Sequence, residues 1–365
     1  MTKQHLYNAI KIFGCIVIVL TLFRFVSLDF WWVRIFDFPH VQLTCITATA
    51  LALYFIKFDY KWLNDYIIIG GIIACFIFQI SKIYPYTPLS STEIGNVTED
   101  EQHDSLKIYV ANVLQKNKEP RFLIDEIKTA NADVIILTET DKIWQKNITP
   151  IVNARYPYQV EVPQDNTYGM LLYSRKELVN PKVMFMVDDG IPSIHTKVKL
   201  NNTQLVQLYA IHPTPPMPQH NPTSSDRDKE MMLTAQLASK SELPVIVTGD
   251  FNDVAWSQTT TLFQRISGLL DMRKGRGFFN TFNANNPLMR WPLDHMFVSE
   301  HFRVIEIGLG NDINSDHFPF YASLSFEPEK AAEQKMPPPT KDELSRMEEQ
   351  IKGKPGFEMI DEITN

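Results

Sequence analysis

Residues 243–253 read LPVIVTGDFND, an apolar run that stops at a glycine and continues into an acid, an aromatic residue and an amide. The apolar, β-branched part is typical of a buried strand. Residues i and i+2 of an extended segment point the same way, so we expect Asp250 and Asn252 to face one site while Phe251 packs on the opposite side. Such a carboxylate can orient water or accept its proton, and the amide can donate to developing charge. A simple Asp-Asn turn that closes a strand is the alternative.

Other strand-like runs end on polar groups in the same way. Runs rich in β-branched and aromatic residues alternate with helical stretches between residues 106 and 326. No single element could hold their polar ends together, so we expect several strand ends to converge on one pocket that binds a divalent metal and a phosphate. The polar groups at the ends of these runs are Asn112, Glu139, His212, Asp250, Asn252, Ser315, Asp316 and His317.

Glu139 is the predicted ligand of a hard cation, Mg²⁺ or Mn²⁺, since one carboxylate suffices when phosphate and water supply the remaining oxygens. A strand-end salt bridge or a helix-cap contact is the alternative, and Asp141 could share the role. Asn112 would bring an amide oxygen beside the metal, or it would make an Asx-turn.

Two acid–histidine pairs stand near the end of this region, Asp294-His295 and Asp316-His317. An acid beside an imidazole fixes its tautomer and holds its positive charge, which lets His317 contact a phosphate or deprotonate water. Neighbours in a strand face opposite ways, so we expect Asp294 in the site and His295 in packing. His212 is a candidate proton donor or phosphate ligand, or a structural loop histidine.

A cationic cluster precedes Asp294 and could receive a substrate phosphate near the metal. A solvated loop is an equally good interpretation. The cluster consists of Arg273, Lys274, Arg276 and Arg290.

The first eighty residues have a different character. Residues 9–28, 41–57 and 66–84 are apolar stretches near the roughly 20 residues that a spanning helix needs. The second is short and the first contains Arg24, so either could be tilted or interfacial. The placement of Lys residues puts the N-terminus in the cytoplasm, and three crossings would then carry the rest outside. We expect a multi-pass protein of the cell membrane with its catalytic domain outside the cytoplasm.

The predicted organisation has four parts: residues 1–84 as a membrane anchor, 85–104 as a linker, 105–326 as a catalytic domain and 327–365 as a mobile tail. Of the 35 Lys and Arg and 42 Asp and Glu, the first 82 residues hold 7 and 4, which leaves the remainder with a net charge of −10. Proteins that grip duplex nucleic acid non-specifically usually present a basic surface, and this portion does not overall. The three cysteines all lie in the apolar stretches, so no disulfide framework is expected.

The order of these motifs resembles the endonuclease/exonuclease/phosphatase superfamily, whose fold is that of deoxyribonuclease I, over about residues 106–326. The resemblance implies a four-layer αββα sandwich, here preceded by transmembrane helices, and Mg²⁺-dependent hydrolysis of a phosphoester by in-line attack of water. It implies that Glu139, Asn112 and Asp316 belong to the metal site and that Asp316 partners His317. By the same resemblance, Asp250 and Asn252 align the water, and Asp294 and His212 complete the site.

The predicted function is therefore a membrane-anchored phosphoester hydrolase of the phosphodiesterase or nuclease type. Its substrate could be a nucleic acid, a phospholipid or a small phosphodiester, and no obligate protein partner is inferred. An inactive sandwich that acts as a binding module is the main alternative. A membrane protein whose helices are the working part is less favoured, because we expect no buried acid–base pair in them to mark a transport path.

Overall fold

The computed structural model describes residues 3–26, 28–97, 103–201, 203–218 and 221–353. The N-terminal part is built from three long helices and one short one: α1 (Lys3–Leu22), α2 (Trp31–Arg34), α3 (His40–Lys57) and α4 (Leu63–Ile83). Gln4–Phe25 and Leu63–Tyr86 are long and apolar enough to cross a membrane, and the bent pair Trp31–Asp37 with His40–Lys57 makes a third if it is one span. All three coincide with the predicted apolar stretches.

The helices do contain an acid–base pair with a buried acid, contrary to the sequence-based expectation. Asp65 at the start of α4 is buried, and its carboxylate lies 2.6 Å from the Lys11 amine of α1. The Tyr54 hydroxyl of α3 donates to the same carboxylate at 3.1 Å, and Tyr7 of α1 donates to it as well. Because the pair and both tyrosines join three helices at one end of the bundle, we interpret it as a structural clamp.

The remainder of the described chain folds into two six-stranded sheets with helices outside. The strands of the first sheet, in spatial order, are β11 (Phe302–Leu309), β12 (Phe320–Phe326), β1 (Ser105–Asn112), β2 (Val134–Thr138), β4 (Met170–Ser174) and β3 (Tyr158–Val162). Those of the second are β5 (Leu178–Met184), β6 (Ser193–Lys199), β7 (Leu205–Ile211), β8 (Val245–Asp250), β10 (Asp294–Val298) and β9 (Leu270–Asp271).

Three hydrophobic clusters define the layers. One lies between the sheets and joins side chains such as Ile108 and Ile136 to Leu208 and Ile246. The second lies under the outer helices of the first sheet, α5 (Pro120–Ala130) and α6 (Lys142–Val152). The third lies under α7 (Ser225–Ser239), α8 (Gln258–Ser267) and α9 (Lys341–Lys352). The predicted αββα sandwich is confirmed.

Strand direction brings the site together. β1 and β2 run parallel in the first sheet, and β7 and β8 run parallel in the second. β10 is antiparallel to β8, so Asp294 at its start pairs with Asp250 at the end of β8. Four carboxyl ends and one amino end therefore meet at the same edge of the sandwich.

The connection after α4 is packed against the domain instead of acting as a free linker. Ile94 is buried in the cluster between the sheets, and the Val97 amide donates to the Val304 carbonyl at 3.2 Å. The Glu93 carboxylate lies 2.9 Å from the Lys274 amine. Residues 98–102 of the predicted linker lie outside the described residues.

The predicted mobile tail is also packed over most of its length. α9 begins with a capping box at Thr340, and Met347 on its inner face is buried with α7 and α8. The Arg265 guanidinium of α8 lies 2.7 Å from the Glu343 carboxylate. A charged, proline-rich composition suggested mobility, but Met347 and Ile351 pack on the domain and Arg265 holds Glu343 and the carbonyls of Pro337 and Pro338. Residues 354–365 lie outside the described part.

We expect Met347→Ala to lower the thermal unfolding midpoint of the catalytic domain by roughly 4 °C or more, since it empties a buried site. Leu344→Ala on the exposed face of the same helix is the matched control. Differential scanning fluorimetry of the full chain in detergent would measure both, and equal midpoints would mean that α9 adds nothing to the core.

Candidate active site

The amide of Asn112 lies at the centre of the site, between carboxylates from the two sheets. Its Nδ2 donates to Glu139 Oε1 at 2.9 Å and to Asp250 Oδ2 at 3.0 Å. Its Oδ1 accepts the Leu114 amide at 3.0 Å, which is the Asx-turn considered as an alternative. Asn112 thus orients the carboxylates with its nitrogen, and its oxygen is committed to the backbone.

Glu139 occupies the rim of this group and is half-buried. It follows the last residue of β2 in the left-handed backbone region, with a φ of 58°. This turn points the side chain across the sheet edge toward Asn112, and its second oxygen accepts the Gln115 amide at 3.3 Å. Because the carboxylate is both fixed and open to solvent, it can share a cation with water and phosphate oxygens.

His317 is held by Asp294, and not by its sequence neighbour Asp316. The Nδ1 atom of His317 lies 2.8 Å from Asp294 Oδ2, and its Nε2 lies 3.7 Å from Asp250 Oδ2. The prediction that Asp316 partners His317 is therefore wrong. The physical reason is that residues 314–316 form a bend, in which the Asp316 carboxylate faces the Ser315 hydroxyl while the His317 ring lies against Asp294.

Asp316 and Ser315 have other contacts. The Ser315 hydroxyl donates to the Asn112 carbonyl at 2.8 Å, which ties this loop to the end of β1. Asp316 is half-buried, its carbonyl accepts the Ala284 amide at 2.7 Å, and its carboxylate lies 3.5 Å from the Ser315 hydroxyl. Its role as a metal ligand stays a prediction.

The charges of the site are coupled. Burial alone lowers the pKa of His317, but the carboxylates of Asp294 and Asp250 outweigh it and raise this pKa to about 10. Burial raises the pKa of Asp250, and the imidazolium of His317 works against that rise. Because the pKa of His317 is higher in the folded protein than its unfolded value near 6.5, protonation of His317 stabilises the fold. This stabilisation is complete below about pH 6.5 and is lost as the pH rises through about 10. At neutral pH His317 is therefore a cation.

His212 completes the inner group. Its Nε2 lies 3.8 Å from Asp250 Oδ2, and its ring lies 5.4 Å from that of Tyr168. The side chain is buried, and its Nδ1 has no hydrogen-bond partner among the described residues. The strand β7 that delivers it approaches β8 closely, since a Cβ on Gly249 would lie 1.9 Å from the Ile211 carbonyl oxygen. Glycine is therefore required at that position.

Asn252 lies in the site, but the extended segment expected to bring it there ends at Asp250. Asn252 has a φ of 51°, in the left-handed region, and its amide donates to Asp250 Oδ1 at 2.9 Å. Its Nδ2 donates to the Pro213 carbonyl at 3.0 Å. Phe251 packs away from the site on Phe263, as expected.

Arg227 and Tyr168 were missed in the sequence. The buried Arg227 of α7 donates to the Asn252 carbonyl at 2.9 Å and lies 3.4 Å from the Asp253 carboxylate, so it fixes the turn after β8. Nothing in the charged stretch around it distinguished this arginine. Tyr168 precedes β4, which is antiparallel to β2, so it lies at the sheet edge where β2 ends; no local pattern in the sequence indicated this pairing.

Two of the four predicted phosphate-binding cations have internal partners. Arg273 is buried, with its guanidinium 2.8 Å from the Asp271 carboxylate and 2.5 Å from His295 Nδ1. Lys274 pairs with Glu93 at 2.9 Å. His295 is buried and packed, as expected. These contacts account for both charges without a substrate.

The other two cations hold loops. Arg276 donates to the Ile94 carbonyl at 2.7 Å. Arg290 donates to the Asn283 carbonyl at 3.1 Å and lies over the Phe318 ring at 4.8 Å. The structure thus places all four side chains in contacts within the protein, and their role in substrate binding stays a prediction.

The donor set fits a divalent cation. The carboxylates of Asp250 and Asp294 offer oxygen atoms that lie within 4.8 Å of each other and of a ring nitrogen of His317. Asp294 Oδ1 is buried, with no hydrogen-bond partner among the described residues. Three carboxylates including Glu139 face one imidazolium, so the group carries excess negative charge that a hard cation would balance.

Comparisons with known proteins agree with this geometry. A family model described as Endonuclease/Exonuclease/phosphatase family matches residues 109–317, more than half of the chain, which confirms the resemblance inferred from the motifs. No curated protein matches the chain.

Several solved structures share the fold. One is an endonuclease/exonuclease/phosphatase family protein from Bacteroides thetaiotaomicron, with 18% identity, a TM-score of 0.52 and coverage of 62% of this chain and 100% of that one. D. rerio TDP2 complexed with single-strand DNA product has 16% identity, a TM-score of 0.51 and coverage of 60% and 99%. The human Nocturnin catalytic domain has 16% identity, a TM-score of 0.50 and coverage of 62% and 96%. At such identities the likeness shows the fold alone.

We expect Asp294→Asn to lower the pKa of His317 from about 10 toward its ordinary value, because the carboxylate that holds the imidazolium is lost. Asp316→Asn is the matched control and should change this pKa little. Histidine-selective NMR titration of the metal-free chain in detergent would measure both. A larger drop of the His317 pKa in the Asp316 variant would mean that Asp316, and not Asp294, is the partner of His317.

Proposed function

We propose that this chain, which belongs to the endonuclease/exonuclease/phosphatase family, is a membrane-anchored hydrolase that cleaves phosphoesters with a divalent metal ion, Mg²⁺ or Mn²⁺. Family members are phosphoester hydrolases and generally depend on a divalent metal. The observation that carries the proposal is the bridge of Asn112 between Glu139 and Asp250, beside the Asp294–His317 pair. The bridge brings three groups together at one sheet edge: Glu139, which would bind the metal, Asp250, which would accept a proton, and the positively charged His317.

Glu139 would hold the metal, oriented by Asn112, and the metal would neutralise phosphate charge and polarise the phosphorus centre. Asp250 orients the attacking water and takes its proton, a role that suits a carboxyl whose pKa is raised by burial. His317 is already protonated at neutral pH, so it donates to a phosphoryl oxygen and does not act as the base.

His212 and Asn252 flank the same space. His212 lies against Asp250, and its Nε2, which is on the side of that carboxylate, would contact a phosphate oxygen or the leaving group. Asn252 is fixed by the Pro213 carbonyl next to His212, which sets the separation of the two side chains. Arg227 is a positioning residue, because it acts through the backbone of Asn252.

The anchor would place this site on the outer side of the membrane. Two helices, or three with the bent pair, are long and apolar enough to cross. Lys3 and Lys11 lie in the first half of α1, and Lys57 and Lys61 lie at or after the end of α3. The contacts with the catalytic domain are made at the opposite ends, by Arg24 after α1 and Tyr86 after α4. Since basic residues favour the cytoplasm, the catalytic domain lies outside.

We expect Glu139→Gln to reduce metal-dependent hydrolysis of bis-p-nitrophenyl phosphate at least about 100-fold, because the metal loses its charged ligand. The full chain in detergent would be assayed with Mg²⁺ and with Mn²⁺. Glu177→Gln, which alters an exposed carboxylate paired with Lys199, is the matched control and should retain activity. Metal binding without turnover by the unaltered chain would indicate a binding module instead.

We expect a cysteine introduced at Ser239, an exposed position at the end of α7, to react with a membrane-impermeant maleimide on intact cells. The background would carry alanine at Cys15, Cys45 and Cys75. A cysteine replacing Asp59, between α3 and α4, is the control and should react only after lysis. The opposite pattern would place the catalytic domain in the cytoplasm.

A further inference from the structure

Three segments at the rim of the site rest on the N-terminal helices. The first follows the His212 loop: the Trp31 amide donates to the Pro222 carbonyl at 2.8 Å, and the Ser224 amide donates to the Asp29 carbonyl at 2.8 Å. The backbone of this rim segment is therefore hydrogen-bonded to the short connection between α1 and α2.

The second segment follows Asn252. The Trp256 indole donates to the Asp37 carbonyl at 2.8 Å, and the Tyr86 hydroxyl at the end of α4 donates to the Ala255 carbonyl at 2.7 Å. Arg24 at the end of α1 donates to the Trp256 carbonyl. The turn that carries a catalytic amide is thus fixed to the ends of two apolar helices.

The third segment is the 282–291 loop, which touches the anchor on one side and the site on the other. On the anchor side, Gln42 Nε2 donates to the Leu288 carbonyl at 2.8 Å, and the Phe38 and Trp291 rings lie 5.6 Å apart. On the site side, the Phe282 ring lies 5.0 Å from that of His317. The catalytic imidazole is therefore separated from the start of α3 by a single loop.

The tip of this loop is apolar and exposed. Leu288 is 79% exposed and Met289 is 50% exposed. Gln42, which holds the tip, lies in the first turn of α3, and one helical turn rises about 5.4 Å. The tip therefore lies beside the first turn of α3, and apolar side chains at the end of a membrane-spanning helix insert among lipid headgroups and chains. Trp32 and Ile35 of the neighbouring connection are exposed at the same end of the bundle.

We propose that the site opens onto the bilayer that holds the anchor and that its substrate is the phosphoester of a membrane lipid; this rests on the function proposed above. The water oxygen bonds to the lipid phosphorus and one P–O ester bond breaks. The proton taken by Asp250 passes to the leaving oxygen, which departs as an alcohol. One water is consumed, and the lipid is divided between a phosphate monoester and that alcohol.

Charge argues for lipid over nucleic acid. The portion after residue 82 has a net charge of −10, and the cations near the site, Arg273, Lys274, Arg276 and Arg290, have partners within the protein. Nucleic-acid affinity depends on Lys and Arg that displace counterions from the backbone. A lipid needs no such surface, because the bilayer itself delivers the phosphate.

The direct test is the full chain reconstituted in vesicles of phosphatidylcholine, phosphatidylethanolamine and phosphatidylglycerol, with lipid products followed by mass spectrometry. We expect Mg²⁺- or Mn²⁺-dependent formation of diacylglycerol or phosphatidate, according to the ester bond cleaved, and its loss in Glu139→Gln. Bis-p-nitrophenyl phosphate and a single-stranded oligonucleotide are the parallel substrates. Hydrolysis of the soluble ester without lipid cleavage, or a preference for the oligonucleotide, overturns the lipid assignment. No hydrolysis of any substrate overturns the proposed function as well.

Met289→Asp tests the loop itself. We expect lipid cleavage to fall roughly tenfold, because a charge at the tip opposes insertion, while hydrolysis of the soluble ester stays within about twofold. Ile305→Asp is the matched control, since Ile305 is 49% exposed on the edge strand β11. Equal loss of lipid cleavage in both variants contradicts a specific role of the loop.

A measurement independent of activity checks the geometry. A fluorophore on Leu288→Cys, with alanine at the three native cysteines, should be quenched by brominated lipids. The same fluorophore on Ile305→Cys should not be quenched. An unquenched probe at position 288 places the loop in water and overturns the proposal.

Discussion

The amide of Asn112 links the two sheets at the point where chemistry is expected. Glu139 belongs to the first sheet and Asp250 to the second, and one nitrogen donates to both. Two carboxylates this near repel each other, and a shared donor offsets that cost while it fixes their separation; hydrogen bonds to charged groups contribute about 1.5–3 kcal/mol each. The Asn112 carbonyl accepts the Ser315 hydroxyl, so the loop that carries His317 is set by the same residue. The geometry of the pocket depends on the distance between the sheets, and that distance is fixed by the core packed between them.

Much of this arrangement could be predicted because a strand end is a local pattern. Glu139, His212 and Asp250 all follow buried runs, and parallel pairing brings such ends together. Partnership across the fold was harder to predict. His317 and Asp294 are separated by 23 residues and belong to different sheets, since Asp294 begins β10 of the second sheet and His317 precedes β12 of the first. No spacing in the chain encodes their contact. The turn at Asn252 was considered only as the alternative to an extended segment, because a left-handed backbone conformation leaves no mark in the alternation of apolar and polar residues.

Composition was a weaker guide than pattern. Arg273 belongs to a basic cluster that suggested phosphate binding, yet it is buried against Asp271 and serves the core. The charged, proline-rich composition of residues 327–365 and the Pro, Ser, Thr and acidic content of residues 85–104 suggested a tail and a linker. Buried apolar side chains hold both segments on the domain, Met347 in α9 and Tyr86 and Ile94 after α4. The average hydrophobicity of a sequence window does not reveal one buried methionine or isoleucine among polar neighbours. Contacts such as that of Arg24 with Trp256, more than two hundred residues apart, lie beyond any local signal.

The packed connection after α4 also limits how far the domain can move away from the N-terminal helices. A flexible tether of a dozen residues would let a domain explore a hemisphere of roughly 20 Å around its anchor. Here Tyr86 is hydrogen-bonded to the turn after β8, and Ile94 is buried between the sheets, so the domain has no such freedom of movement. The active site is held at a constant height and tilt relative to the helix ends. For the membrane-lipid substrate proposed above, encounters would follow lateral diffusion in two dimensions, and the rate would depend on the number of target molecules per unit area.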